Sequence, residues 1–453
     1  MKTKVIIYLS CMFVMVSCLK TIDDEEKINE IIIPDENFVT NTQNISVPNA
    51  VSIHFSNGQT IVNNPFEGKG IIINVINQNV TITSSITNIE INYVLSGNTY
   101  DGFVKIYGDY KMGLILNGVS ILNRVGAAIN IQSSKKVSVL LVDKTSNRLI
   151  DGGTFQITEG ERMNGTFYSE GQLVLEGNGS LLVYGNYGHA ICAHDYIQIN
   201  SGNITVNNAN SDGFHCRKYF LMNGGNVAIN AKSDGVECTN GYIIIDDGII
   251  RIDKSGAKGL KSAENTTIYG GKIEIESLDN GIDAVGNITI LGGEIYCNSS
   301  NIGMISKGTI SMMDGLLVST ATKNVFYCDN SFTIIGGTIA GVGNATIIPA
   351  ESDCRQRAVV WKTSKCTAGQ LIYIKSSANS EVLTFKLPRA YSGSMALVFT
   401  SPLLQANTNY TIYKGGSVSG GNDFHGLYNG AVSSGGTAAA TFTTSKMIQL
   451  VEM

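Results

Sequence analysis

Two phrases, SDGFHC at residues 211–216 and SDGVEC at 233–238, place Asp212 and Asp234 directly before glycines, 22 residues apart. Glu237 follows Asp234 by three residues, and LDNGIDAV adds Asp279, Asn280 and Asp283. Carboxylates are hard oxygen donors that Ca²⁺ takes at about 2.4 Å. If a repeat brings equivalent residues onto neighbouring strands, about 4.8 Å apart, one ion fits between them. Without a cation their like charges repel. Asp212, Asp234, Glu237, Asp279 and Asp283 are therefore the candidate calcium ligands. The competing reading is conformational, because Asp before Gly favours turns. Lys261 offers a second chemistry. As an ammonium it would pair with an anionic ligand; as a free amine beside a cation it would be a general base. Acidic neighbours raise a lysine pKa, the wrong direction for a base, unless a cation offsets them.

What must position these residues is a repeat. Gly179, Gly202, Gly225, Gly248, Gly271, Gly293, Gly315 and Gly337 recur every 22–23 residues. Between them lie runs such as GVEC, YIIID and IIRID, too short for helices and alternating in polarity. Three strands per coil without helices is the pattern of an all-β, right-handed parallel β-helix. A β-propeller needs about 40 residues per repeat. Within the strand that carries the carboxylates, Phe167, Ile191, Phe214, Val236, Leu260, Ile282, Met304 and Phe326 form an apolar column that faces inward. Two residues further on, Ser169, Ala193, Cys216, Cys238, Ser262, Ala284, Ser306 and Cys328 form a small inward column. The residues between, Tyr168, Cys192, His215, Glu237, Lys261, Asp283, Ile305 and Tyr327, face outward. His215, Glu237, Lys261 and Asp283, flanked by Tyr168 and Tyr327, are the candidate ligand-binding row. A zinc site from Cys192, His194, His215 and Cys216 lacks ligand spacing and would mix inward with outward residues.

The solenoid is expected over residues 45–348, interrupted by a loop spanning KTSNRLIDGGTFQITEGERMNG. Residues 349–453 lose the glycine period and read as antiparallel strands, a small β-sandwich-like cap over the last open edge. The N-terminus, MKTKVIIYLSCMFVMVSC, has a basic start, an apolar stretch too short to span a bilayer, and Ser17-Cys18 in the manner of a lipobox. Residues 1–17 read as a lipoprotein signal peptide, Cys18 as the lipidation site and residues 18–44 as an acidic linker. The expected location is the surface of a Gram-negative outer membrane, reached by a lipid anchor alone; an ordinary cleaved signal peptide is the alternative. The net charge of −5 argues against nucleic acid as partner. The seven cysteines beyond Cys18 are scattered and odd in number, which is no disulfide framework, although Cys354–Cys366 is a conceivable bridge.

The phrases TFYSEG, LILNG and NYGHAI, with the succession from AAINIQSS to SDGFHC, resemble a bacterial carbohydrate-binding β-helix family distantly related to family 9 pectate lyases. The resemblance covers roughly residues 50–450. It implies a calcium-containing, cell-exposed β-helix that binds plant polysaccharide such as cellulose or polygalacturonate. The family's Asp-Gly-Ile phrase matches Asp212-Gly213-Phe214 and Asp234-Gly235-Val236, whereas Lys258-Gly259 and Asn280-Gly281 depart from it. The expected function is a monomeric, calcium-dependent polysaccharide binder. A lyase using Lys261 is the second reading, and a structural adhesin stalk the third.

Overall fold

The computed structural model describes Ile32 and residues 38–452. Short β-branched runs between glycine turns leave no room for a helix, and none occurs among the described residues. A twelve-stranded sheet, here the site sheet, begins at the antiparallel pair Ile71–Ile76 and Asn79–Ser84. It continues in parallel through Phe103–Gly108, Ile129–Gln132, Gly165–Ser169 and His189–Ala193. Six three-residue strands follow, from Phe214–Cys216 to Phe326–Cys328. The other two faces of the coils join into a 25-stranded sheet. They join because Met112–Asn123 crosses a corner: Met112–Leu116 pairs with Val137–Leu141 and Ser120–Asn123 with Arg148–Asp151. The chain is a β-solenoid with an antiparallel C-terminal region.

The register places Phe167, Ile191, Phe214, Val236, Leu260, Ile282, Met304 and Phe326 one above another, all buried. Each such side chain contributes roughly 1.5–3 kcal/mol through burial. The small column from Ser169 to Cys328 is buried beside it, leaving that face of the core thin. Cys216 and Cys238 Sγ atoms stack at 3.1 Å as thiols, and Cys354 and Cys366 are also free.

Two glycine columns have different causes. Gly202 through Gly337 hold φ of 81–109°, a region that disfavours side chains. Gly179 starts this column by register, since Ser180 pairs with Asn203, but in its coil the positive φ falls on Gly177, at 110°. In contrast, Gly213, Gly235, Gly259, Gly281 and Gly303 are needed for close approach. A Cβ there would stand 2.5–2.7 Å from the next coil's carbonyl oxygen.

The expected long loop is shorter than its sequence suggests. Ser146–Asp151 is a full strand of the solenoid, and only residues 152–164 leave the ladder. Its polar side chains are buried with partners. Asn147 Oδ1 accepts from the Gly118 and Val119 N–H groups, and Arg148 Nε donates to Ser120 Oγ. At the far end, Thr338–Gly343 pairs antiparallel with Met395–Thr400, which closes an edge open to further pairing. A six-stranded antiparallel sheet packs a second core around Trp361, Ile372, Phe385 and Phe399. The leader, the acidic run and Cys18 lie outside the described residues.

Asp151 ties the emerging segment to the next coil. Its Oδ2 accepts from Thr166 Oγ1 at 2.6 Å, and its Oδ1 from the Gly153 and Tyr187 N–H groups, both at 2.9 Å. Full burial outweighs these donors and pushes its pKa from 3.8 to about 6. A carboxyl that binds its proton more tightly when folded stabilises below its unfolded pKa and loses that contribution as pH rises. In urea unfolding, the stability of wild type relative to Asp151→Asn should therefore fall as pH rises from 3.8 to about 6. A pH-independent difference would contradict this.

Candidate functional site

One position before Gly213, Gly235, Gly259 and Gly281 stand Asp212, Asp234, Lys258 and Asn280, and His189 holds the equivalent place before Ala190. At each of these but Lys258 the side chain caps the next coil. Asp212 Oδ1 accepts from Asp234 N at 3.0 Å, Asp234 Oδ1 from Lys258 N at 2.8 Å, and Asn280 Oδ1 from Ile302 N at 3.2 Å. His189 Nδ1 stands 3.3 Å from Asp212 N in the same relation. The conformational reading of these residues thus holds for one oxygen of each carboxylate. The other oxygen faces the outward row.

That row is in register: Cys192, His215, Glu237, Lys261, Asp283, Ile305 and Tyr327 lie on successive strands. Asp212 Oδ2 meets His215 Nδ1 at 2.9 Å and His189 Nδ1 at 3.1 Å. His215 Nδ1 also meets Glu237 Oε2 at 3.2 Å. Lys261 Nζ bridges Glu237 Oε1 at 2.5 Å and Asp234 Oδ2 at 3.2 Å. Asp212 and Asp234 are buried, whereas the Lys261 side chain is 39% exposed.

Burial opposes ionisation of Asp212, yet the two imidazoles hold its carboxyl far below the usual range. Burial also opposes charge on His215, but Asp212 and Glu237 raise its pKa to about 9. Hydrogen bonding from His215 lowers Glu237, and burial raises Asp234. Lys261 is partly desolvated, but Glu237 and Asp234 raise its pKa and keep it an ammonium.

The candidate ligands separate into groups. Asp212, Asp234 and Glu237 bring one oxygen each within 4.8 Å of one another. Three oxygen donors are the chemistry of a hard cation, so these residues fit calcium. Lys261 already lies against two of them, so ion and ammonium compete for the same oxygens. Asp279 is engaged elsewhere, with Lys258 Nζ at 2.9 Å and Asn301 Nδ2 at 2.6 Å. Asp283 accepts from Asn280 Nδ2 at 2.9 Å.

Tyr168 does not belong to an exposed row. It is only 2% exposed and its hydroxyl donates to Glu170. Residues 162–163 of the segment that leaves the ladder contact this part of the sheet, through Arg162 O to Gln132 and Met163 Sδ to Asn130. Tyr168 pairs with Asn130 across the strands. Tyr327, at the other end, is exposed. His194 accepts from Arg162 and Arg217 instead of approaching Cys216 or Cys192 as a ligand. On an adjacent face Tyr196, Tyr219 and Tyr242 stack on one another with centroids 4.3 and 5.4 Å apart. Both faces of Tyr219 and one face each of Tyr196 and Tyr242 are occupied by a neighbouring ring. Sequence reasoning missed His189, although it shares a column with Asp212 and Asp234.

A family described as carbohydrate-binding domain-containing protein matches residues 76–344. A carbohydrate-binding domain-containing protein of Acetivibrio thermocellus is 34% identical over 118 residues. That alignment covers 25% of this chain and 41% of the relative, so the chain spans less than half of that protein's length. The solved polysaccharide lyase-like protein from C. thermocellum, a gadolinium derivative, aligns with 24% identity and a TM-score of 0.42. The alignment covers 59% of this chain and 100% of that one.

Replacing Asp234 separates its two roles. Asp234→Asn keeps an oxygen for Lys258 N–H and removes the charge, whereas Asp234→Ala leaves that N–H unpaired. The alanine variant should lose about 1–3 kcal/mol more in chemical denaturation than the asparagine variant. Equal losses would mean that the cap does not support the turn.

Proposed function

The chain belongs to the family of carbohydrate-binding domain-containing proteins, and we propose that its site sheet binds an acidic polysaccharide of the polygalacturonate type with the help of calcium. The observation that carries this reading is the register of His215, Glu237, Lys261 and Asp283 on four adjacent strands. A linear polysaccharide is a repeating object, and side chains recurring at about 4.8 Å contact several of its sugars together. Lys261 is the cation of that row best exposed for a uronate carboxylate. Asp212, Asp234 and Glu237 would hold the calcium, which supplies positive charge for a second carboxylate. Because Lys261 shares two of those acids, ion binding releases its ammonium toward the ligand.

Binding is placed before cleavage on the state of Lys261 while Glu237 and Asp234 carry no ion. A lysine held protonated by Glu237 and Asp234 has no lone pair to abstract a proton. The surface-exposed lipoprotein setting and the monomeric state belong to this same reading. The lipoprotein setting rests on Cys18 and the sequence around it.

Two measurements test the proposal. At saturating calcium, Lys261→Ala should weaken polygalacturonate binding about fivefold, the weight of one partly exposed ion pair. A neutral glucan should be less affected, and the difference should shrink with added salt. Equal effects on both glycans in affinity electrophoresis would move the binding surface elsewhere. By calorimetry without glycan, the same variant should bind calcium more tightly than wild type, since the competing ammonium is gone. Calcium binding absent from both proteins would remove the metal from the account, and weaker binding by the variant would contradict the competition.

A further inference from the structure

Beside the three carboxylates lies a second convergence of donors with a different chemistry. His189 Nδ1, Asp212 Oδ2, His215 Nδ1 and Glu237 Oε2 are linked by contacts of 3.1, 2.9 and 3.2 Å. The two imidazoles stack at 4.0 Å, 25° from parallel, on neighbouring coils. Their side chains are 12% and 18% exposed, so the cluster is mostly shielded but open at one edge.

Protons alone satisfy this arrangement poorly. His189 Nδ1 faces a donor, Asp212 N–H at 3.3 Å, and an acceptor, Asp212 Oδ2 at 3.1 Å. If Nδ1 carries a proton, it opposes the backbone N–H. If it does not, its lone pair opposes the carboxylate oxygen. His215 Nδ1 has one proton for two carboxylates. A divalent cation removes the second conflict, because His189 Nδ1, Asp212 Oδ2 and His215 Nδ1, all within 4.8 Å of one another, then present lone pairs to one centre and Glu237 is left to Lys261. The spacing is also suitable. Ligands at about 2.0–2.1 Å in a tetrahedron lie about 3.3 Å from each other, close to the 3.1 and 2.9 Å that separate Asp212 Oδ2 from the two imidazole nitrogens. Two imidazoles and a carboxylate suit borderline transition ions, whereas calcium prefers oxygen alone.

We propose that His189, Asp212 and His215 form a site for a borderline divalent transition metal of the zinc class. It shares Asp212 with the oxygen cluster of Asp234 and Glu237 but takes its other two donors from imidazoles. Its place explains why a histidine occupies the capping column at residue 189. The metal joins two consecutive coils, those of His189 and of Asp212 with His215, at the head of the ligand-binding row.

Chelator-treated protein titrated with Zn²⁺ by calorimetry, and with Co²⁺ by visible absorption, tests this directly. The expected result is one equivalent bound, with the intense visible bands of tetrahedral Co²⁺. His189→Gln and His215→Gln should each weaken Zn²⁺ binding by about a hundredfold or more. Asp234→Asn should leave it within a few-fold of wild type while abolishing calcium binding, so this site and the calcium reading fail separately. Circular dichroism identifies variants that do not fold. If His215→Gln is one of them, His189→Gln carries the test. Absence of saturable Zn²⁺ and Co²⁺ binding, or binding unchanged in the folded histidine variants, would overturn the proposal.

Discussion

The Gly213, Gly235, Gly259 and Gly281 N–H groups each donate to the carbonyl of the capping residue one coil on, at 2.9–3.0 Å. This ladder sets successive coils in register, and the outward row exists only because that register holds. Its supports are small in volume. The glycines let one coil's backbone approach the next, and Asp212, Asp234 and Asn280 cap the N–H groups that the turn leaves unpaired. A buried N–H without a partner costs about 1–3 kcal/mol, so the caps and the ladder depend on each other. The proposed ligands are therefore residues whose first duty is structural.

The same register governs the electrostatics. Parallel strands place like positions side by side, so identical charges down the row would repel. His215, Glu237, Lys261 and Asp283 instead alternate in sign with His215 protonated, and the acids of the capping column lie behind them. The row is close to neutral without a ligand. Under the proposed function it exchanges its own cations for external ones, and binding would then respond to metals and salt. Aromatic stacking contributes less here than polysaccharide recognition usually suggests. Tyr168 is covered, and Tyr196, Tyr219 and Tyr242 stack among themselves.

Much of the fold was legible because solenoid physics is periodic. Phe214, Val236, Leu260 and Ile282 announce the core by alternation, and the register of His215 with Glu237 follows from the 22-residue step. Features that break the period were harder to see. Ser146–Asp151 looked like loop because Asn147, Arg148 and Asp151 are polar, and only their buried partners make it a strand. Tyr168 sits correctly in the outward column but is buried, its hydroxyl on Glu170 and the segment at 162–163 bonded to the neighbouring Gln132 and Asn130, which strand alternation cannot place. Asp279 and Asp283 have the right residue type, but Lys258 and Asn280 draw them into other pairs. His189 carries no repeated phrase around it, so only the column it occupies could have revealed it.

The central claim is that the outward row of the site sheet is the surface a polysaccharide meets. A crystal structure of the protein with calcium and a polygalacturonate oligosaccharide tests this most directly. The account predicts sugar rings running from coil to coil across His215, Glu237, Lys261 and Asp283, with a uronate carboxylate at Lys261 Nζ. Oligosaccharide bound instead to the stacked tyrosine face or to the C-terminal antiparallel region, with that row bare, would contradict it.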